Sequence, residues 1–179
     1  MATESLDVFI YTHDKHNLFA KICGFFQSIN LEIVGAKVFT SQNKLALDSF
    51  TLLVDTVTKP PKSSVVESKL KELLMESDNY LPPNPQRLSA QQKYLPIPPK
   101  VKFWPDEGGL YYFLNITGAD QPSLLYRIAS LLSKHQVHIQ TAKINTLGGR
   151  AEDSFLVKGD ILKNLQGINM LEEEIIKIL

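Results

Sequence analysis

Two short loops carry the residues of this sequence that are best suited to binding a small molecule. The first is THDKHNL at 12–18, and the second is TGADQPSL at 117–124. Each loop follows a predicted strand and precedes a predicted helix. A helix N-terminus offers unpaired backbone N–H groups and a partial positive charge, both of which suit a carboxylate. The two loops therefore predict sites for a small zwitterion.

The polar side chains of these loops are suited to the other end of such a ligand. Asp14 or Asp120 is expected to face an ammonium group, and Asn17 or Ser123 to contact a side-chain amide. A site that hydrogen-bonds an amide strongly rejects analogues that lack it. The alternative is that the two aspartates only cap their helices, which is a common role for this residue. The candidate ligand-binding residues are Asp14, His16, Asn17, Leu18, Asp120, Gln121, Ser123 and Leu124.

A second pair of carboxylates, Asp48 and Asp153, recurs in the tripeptide Asp-Ser-Phe. Each lies in the second strand of a predicted hairpin, and both are secondary candidates for facing a ligand from the neighbouring repeat. The favoured interpretation is instead a cross-strand ion pair with Lys37 or Lys143, because such pairs commonly stabilise hairpins.

Several other chemistries lack the residues that they require. The one cysteine, Cys23, lies on the apolar face of a predicted helix and is expected to be a core residue. The dipeptide His13-Asp14 stands without the further ligands that a metal-dependent phosphohydrolase needs. Neither loop has the arginine of an acylphosphatase, and the third strand of each repeat lacks the basic and aromatic surface of an RNA-binding domain. We therefore expect no catalytic residue, metal site or cofactor in this chain.

Composition narrows the class of protein further. The 179 residues are 44% hydrophobic, and 19 Lys plus Arg balance 19 Asp plus Glu. A net charge of zero argues against non-specific nucleic-acid binding and against a polybasic membrane anchor. No apolar run is long enough for a membrane span, and the start does not resemble a secretory signal. These features favour a cytoplasmic protein without nucleic-acid or membrane partners.

The chain contains an internal repeat. Placing Asp14 on Asp120 fixes an offset of 106 residues, at which Leu18, Ile22, Ile33 and Ala36-Lys37 meet identical residues. After a one-residue gap, Asp48-Ser49-Phe50 meets Asp153-Ser154-Phe155. One register held over so many positions predicts two homologous domains.

Each repeat shows the order β-α-β-β-α. The predicted strands are 6–12, 32–40, 45–54, 111–117, 138–146 and 151–158; helices begin near Leu18 and Leu124 and span 63–75 and 165–179. The fold class is α+β, with two ferredoxin-like units in tandem. We assign 5–76 plus 98–105 to the first domain, 77–97 to a proline-rich linker and 109–179 to the second domain. The strand after the linker is expected to complete the first domain and to leave the second without its last strand.

These residues resemble two tandem ACT domains, which are small amino-acid-binding regulatory modules. The segments ADQPSLLYRIASLL, AKINTLGGRAEDSF and PIPPKVKF further resemble the C-terminal regulatory region of the bifunctional uridylyltransferase/uridylyl-removing enzyme family. In that family glutamine is the effector, and it shifts the enzyme from uridylylating the nitrogen-signalling protein PII to removing the uridylyl group. One departure is that ACT domains commonly carry glycine where Asn17 and Ser123 stand.

The resemblance also implies partners. The catalytic domains of the family lie upstream of this region and are expected to use magnesium. ACT modules associate by their sheets or helices, so the open strand edges are expected to be covered by the other repeat or by a second chain. A free-standing double-ACT protein without catalytic domains is the alternative that the residues leave open.

Overall fold

The computed structural model describes residues 5–54, 61–75, 97–121, 123–147 and 149–179. Within these ranges the predicted strands and helices are confirmed to within a few residues at their ends. The predicted linker lies outside the described residues apart from residue 97. The elements are β1 (Ser5–His13), α1 (Leu18–Ser28), β2 (Leu31–Thr40), β3 (Leu45–Val54), α2 (Ser63–Met75), β4 (Lys100–Pro105), β5 (Tyr112–Ala119), α3 (Leu124–Lys134), β6 (His138–Leu147), β7 (Arg150–Lys158), a 3-10 turn (Asp160–Lys163) and α4 (Leu165–Ile176).

The strands form one antiparallel sheet of seven in the order β1-β3-β2-β6-β7-β5-β4. The α+β class is therefore confirmed, and the arrangement is compatible with tandem ferredoxin-like units. Alternate strand residues point to opposite faces. One face carries the buried core and is covered by the helices, whereas Phe9, Tyr11, Phe39 and Leu47 lie exposed on the other face. None of the helices in the described ranges is both long and apolar enough to span a membrane.

The two repeats join edge to edge through β2 and β6. Lys37 lies opposite Lys143, its own equivalent in the other repeat. The neighbouring pairs are reciprocal, since Ala36 faces Ile144 and Val38 faces Ala142. Such self-matching pairs are typical of a twofold interface. Helices α1 and α3 also pack against each other across this axis.

The short strand β4 occupies a different place from the one expected. It pairs antiparallel with β5 of the second repeat, at the position of a fourth ferredoxin-like strand, instead of completing the first repeat. Phe103 is buried there, and its backbone N–H donates to Glu172 Oε1 at 3.1 Å. The connection to β5 is a tight turn in which the Asp106 N–H donates to the Tyr111 carbonyl at 2.9 Å. Closing this short loop costs less entropy than a return to β1 at the far edge.

The second repeat thus has a four-stranded sheet, in which β4 supplies the fourth strand. The first repeat contributes three strands within the described residues. Domain bounds that attach 98–105 to the first repeat are wrong in this respect. The strand belongs to the second sheet, and its Trp104 ring stacks on Phe113 of β5 with centroids 5.5 Å apart.

Candidate functional site

A cavity of about 290 Å³ lies between the two repeats. One wall is the loop between β1 and α1, together with the adjoining ends of β2 and β3. The opposite wall is the end of α3 and the start of β6, which belong to the second repeat. Five of the predicted residues are brought together here: Asp14, His16, Asn17, Leu18 and Asp48.

The loop turns into α1 through a left-handed residue. Asn17 is the N-cap of the helix and has φ 61°, and its side chain makes no capping hydrogen bond. Ser123 has φ 62° at the equivalent position before α3. Glycine adopts this conformation without strain, and asparagine tolerates it better than most residues.

Asp14 does not cap the helix, so the interpretation of this residue as only a cap is wrong. Its backbone N–H donates to the Lys44 carbonyl at 2.8 Å, which ties the loop to the turn between β2 and β3. Its carboxylate lines the cavity instead. Burial raises the pKa of Asp14, and the nearby charge of His138 acts in the opposite direction.

Asp48 forms the floor of the cavity and is 2% exposed. The favoured ion pair with Lys37 is wrong because Asp48 lies opposite Val38, whereas Lys37 lies opposite Ser49 and points to the other face of the sheet. The same alternation separates Asp153 from Lys143. Buried atom Oδ1 of Asp48 has no hydrogen-bond partner.

Burial dominates the electrostatics of this floor. Burial raises the pKa of Asp48 to about 7. A backbone hydrogen bond from Phe39 acts to lower this pKa, whereas the charge of Asp14 raises it further. Burial likewise raises the pKa of Asp153 to about 7, with a further increase from Asp120. Desolvation of this kind disfavours the charged form of a carboxyl group.

The second repeat supplies residues that the sequence did not single out. His16 Nε2 lies 3.1 Å from Ser133 Oγ, which is a direct polar contact between the repeats. Gln136 and His138 complete this wall of the cavity. The internal repeat alone does not predict that these residues reach the cavity, because it does not determine which strand edges of the two repeats pair.

The second predicted loop is arranged differently. Gln121 is engaged within its own repeat: its Nε2 donates to the Leu179 carbonyl, and its Oε1 accepts from Arg127 Nη2 at 3.0 Å. Burial raises the pKa of Asp120 to about 6, and the charge of Glu32 adds to that rise. Leu124 is buried in the core, and the Ser123 hydroxyl is buried without a hydrogen-bond partner.

Two other sequence expectations concern chemistry. Cys23 is confirmed as a buried core residue, and burial raises the pKa of its thiol, so it lacks the thiolate character of a nucleophile. Among the described residues, no group of three or more His, Cys, Asp or Glu side chains is placed to hold a metal ion.

Comparisons with curated proteins found relatives that share one name. The chain is 41% identical over 177 residues to the bifunctional uridylyltransferase/uridylyl-removing enzyme of Nitrosospira multiformis, 38% identical to that of Ralstonia nicotianae and 36% identical to that of Aromatoleum aromaticum. These alignments cover 97–98% of this chain and 20–21% of each relative.

Two further comparisons add little. No family model matches the chain. A solved structure of an unknown protein from Galdieria sulphuraria aligns over 97% of the chain at 13% identity, with a TM-score of 0.35 that is too low to support an inference about fold. The chain thus spans about one fifth of the length of its curated relatives and, along nearly all of its own length, is homologous to that part of the bifunctional uridylyltransferase/uridylyl-removing enzymes.

Proposed function

We propose that this chain is the amino-acid-sensing regulatory region of a bifunctional uridylyltransferase/uridylyl-removing enzyme, built as two tandem ACT domains. In this proposal the region lies at the C-terminal end of a cytoplasmic enzyme, downstream of its catalytic domains. Homology along nearly the whole chain supports the proposal that the chain is part of such an enzyme. The cavity at a strand-to-helix loop, between two ferredoxin-like units, supports the sensing role.

The observation that carries the proposal is the unpartnered oxygen atom Oδ1 of the Asp48 carboxylate at the floor of the cavity. A buried acceptor without a hydrogen bond is costly, and the structure leaves two of them there: Oδ1 of Asp48 and Oδ1 of Asn17. A ligand rich in N–H donors would satisfy both. An α-ammonium group supplies three such donors, while the ligand carboxylate suits the backbone N–H groups at the start of α1.

Glutamine fits this pattern better than glutamate. Its side-chain amide adds two further N–H donors for acceptors such as Asn17 Oδ1. Glutamate would instead bring a second carboxylate close to Asp14 and Asp48, where like charges repel in a partly desolvated site. We therefore propose glutamine as the effector.

Regulation follows from the position of the cavity between the repeats. A ligand that contacts both walls stabilises one packing of the pair over others, and this preference can bias the attached active sites. We propose that glutamine in this way shifts the parent enzyme from uridylylating PII to removing the uridylyl group. Coupling energies of this kind are typically about 1–3 kcal/mol. Bond making, with its magnesium, belongs in this account to the catalytic domains.

Calorimetric titration of the chain with glutamine, glutamate, asparagine and alanine tests the proposal. We expect glutamine to bind most tightly and D48N to weaken it about tenfold to 100-fold, since a hydrogen bond to a charged group contributes about 1.5–3 kcal/mol. D153N is the matched control, because Asp153 is equally buried but outside this cavity. Absence of binding by every amino acid, or wild-type affinity in D48N, would refute the proposal.

A further inference from the structure

The twofold relation between the repeats makes the surroundings of the two loops directly comparable. The offset of 106 residues that places Asp14 on Asp120 also places Glu32 on His138. The structure bears out this equivalence: the Asp14 N–H donates to the Lys44 carbonyl and the Asp120 N–H to the Gly149 carbonyl, both at 2.8 Å. Residues around the first loop can therefore be compared with the residues at equivalent positions around the second loop.

The first loop lies among groups of both signs. Its carboxylates are Asp14 and Asp48, and the cavity wall also contains Lys44, His16, His138 and Lys15, whose Nζ donates to the Leu74 carbonyl at 2.7 Å. Burial raises the pKa of Asp14, and the charges of His138 and Lys44 act against that rise. A zwitterion needs such a mixture, because one of its ends is an anion and the other is a cation.

The second loop has lost each of these positive groups. Gln121 replaces Lys15, a proline replaces His16, and Gly149 replaces Lys44. Glu32 stands where His138 stands in the first site, and its charge raises the pKa of Asp120. The charge of Asp120 in turn raises the pKa of Asp153, so three carboxylates influence one another around the second loop.

The arginine side chains near the second loop make hydrogen bonds and an ion pair within their own repeat. Arg127 of α3 is equivalent in sequence to Lys21 of α1. Arg127 is held by Gln121 and by the Ile178 carbonyl, which accepts from its Nη1 at 2.9 Å. Arg150, beside the second loop, forms an ion pair with Glu152 at 2.6 Å.

We infer that the two loops are not equivalent sensors: the first cavity binds the amino-acid zwitterion at neutral pH, the second does not, and the residues at 138 and 32 determine the difference. The inference rests on the proposed function and identifies which of the two related sites performs it. An amino-acid carboxylate is repelled by the acidic second site, whereas Lys44 attracts it in the first, where His138 stands in place of the carboxylate of Glu32.

Exchanging the two residues tests the inference, with glutamine as the calorimetric probe. His138 and Glu32 are both exposed, so H138E and E32H should fold, and thermal unfolding checks this. We expect the wild type to bind one glutamine per chain and H138E to bind it at least tenfold more weakly. H138Q, which introduces no carboxylate, should show a smaller loss. E32H should keep the first site at wild-type affinity.

Other outcomes separate this inference from the proposed function. Two glutamine molecules bound per wild-type chain with equal affinity, or wild-type affinity in H138E, would overturn the inference and leave the sensing function standing. Tight binding that is lost in D153N and kept in D48N would place the ligand in the second site, which also overturns the inference. If the wild type bound no amino acid, both the inference and the proposed sensing function would be refuted.

Discussion

Lys37 and Lys143, which are equivalent residues of the two repeats, lie directly opposite each other where β2 pairs with β6. Both side chains are exposed on the face of the sheet that the helices leave open. Like charges in directly opposed positions destabilise a sheet. The junction between the repeats is therefore held by the backbone ladder and by the apolar residues on the covered face, such as Val38 and Ala142, in spite of this pair.

Replacing one lysine of this pair should strengthen the junction. We expect K143E to raise the free energy of unfolding by about 0.5 kcal/mol, because a cross-strand ion pair contributes roughly 0.2–1 kcal/mol. Urea unfolding at low and high salt measures the effect, which should shrink with salt. K102E is the control, since Lys102 lies opposite the neutral Asn115. An equal change in both variants would show that the lysines at the axis do not interact.

The left-handed residue before α3 gives a second prediction. Relief of its backbone strain should gain about 1–2 kcal/mol, and glycine's freedom in the unfolded chain should cost about 0.4–1 kcal/mol. S123G also removes a buried hydroxyl without a partner. We expect S123G to stabilise the chain by about 1 kcal/mol in thermal or urea unfolding. A129G, in the interior of the same helix, should destabilise the chain by a similar amount, because glycine has a low helix propensity. Destabilisation by both variants would contradict the account.

The position of β4 beside β5 can be tested through its buried ring. Phe103 is 7% exposed, so F103A should cost about 3–5 kcal/mol of stability. Hydrogen exchange should show the lost protection in β5 and α4, which β4 contacts. K102A, on the exposed side of the same strand, should have little effect. Loss of protection confined to β1 and β3 would instead support the placement expected from the sequence.

Much of this architecture could be predicted from the sequence. Apolar periodicity and turn residues locate the strands and helices, and the repeat fixes the duplicated β-α-β-β-α order. The partner of β4 could not be predicted, because both repeats offer a free edge beside their first strand and local sequence does not choose between them. The short turn from Asp106 to Tyr111 places β4 beside β5 in the structure.

Part of the candidate site could also be predicted from local features of the sequence. Asp14, His16 and Asn17 were found because a strand-to-helix loop is a local feature of sequence. The role of Asp48 was misjudged because strand register, which is a tertiary property, decides whether it faces Lys37 or the core. Ser133 and His138 were missed because they reach the cavity only through the pairing of β2 with β6.

Ligand binding should be coupled to release of a proton. The pKa of Asp48 is about 7 in the free chain, and an ammonium group placed beside it should lower that value. At pH 7 binding should therefore release a fraction of a proton, and affinity for glutamine should rise as pH increases through this range. Calorimetry in two buffers of different ionisation enthalpy measures the release. D48N should abolish the buffer dependence, and proton uptake by the wild type would contradict this reasoning.

The most direct test is a crystal structure of the chain grown with saturating glutamine. The account predicts one molecule in the cavity between the repeats, with its ammonium group on Asp48, its carboxylate at the start of α1 and His138 at the opposite wall. Glutamine bound elsewhere, or an empty cavity in crystals of a chain that binds glutamine in solution, would contradict it.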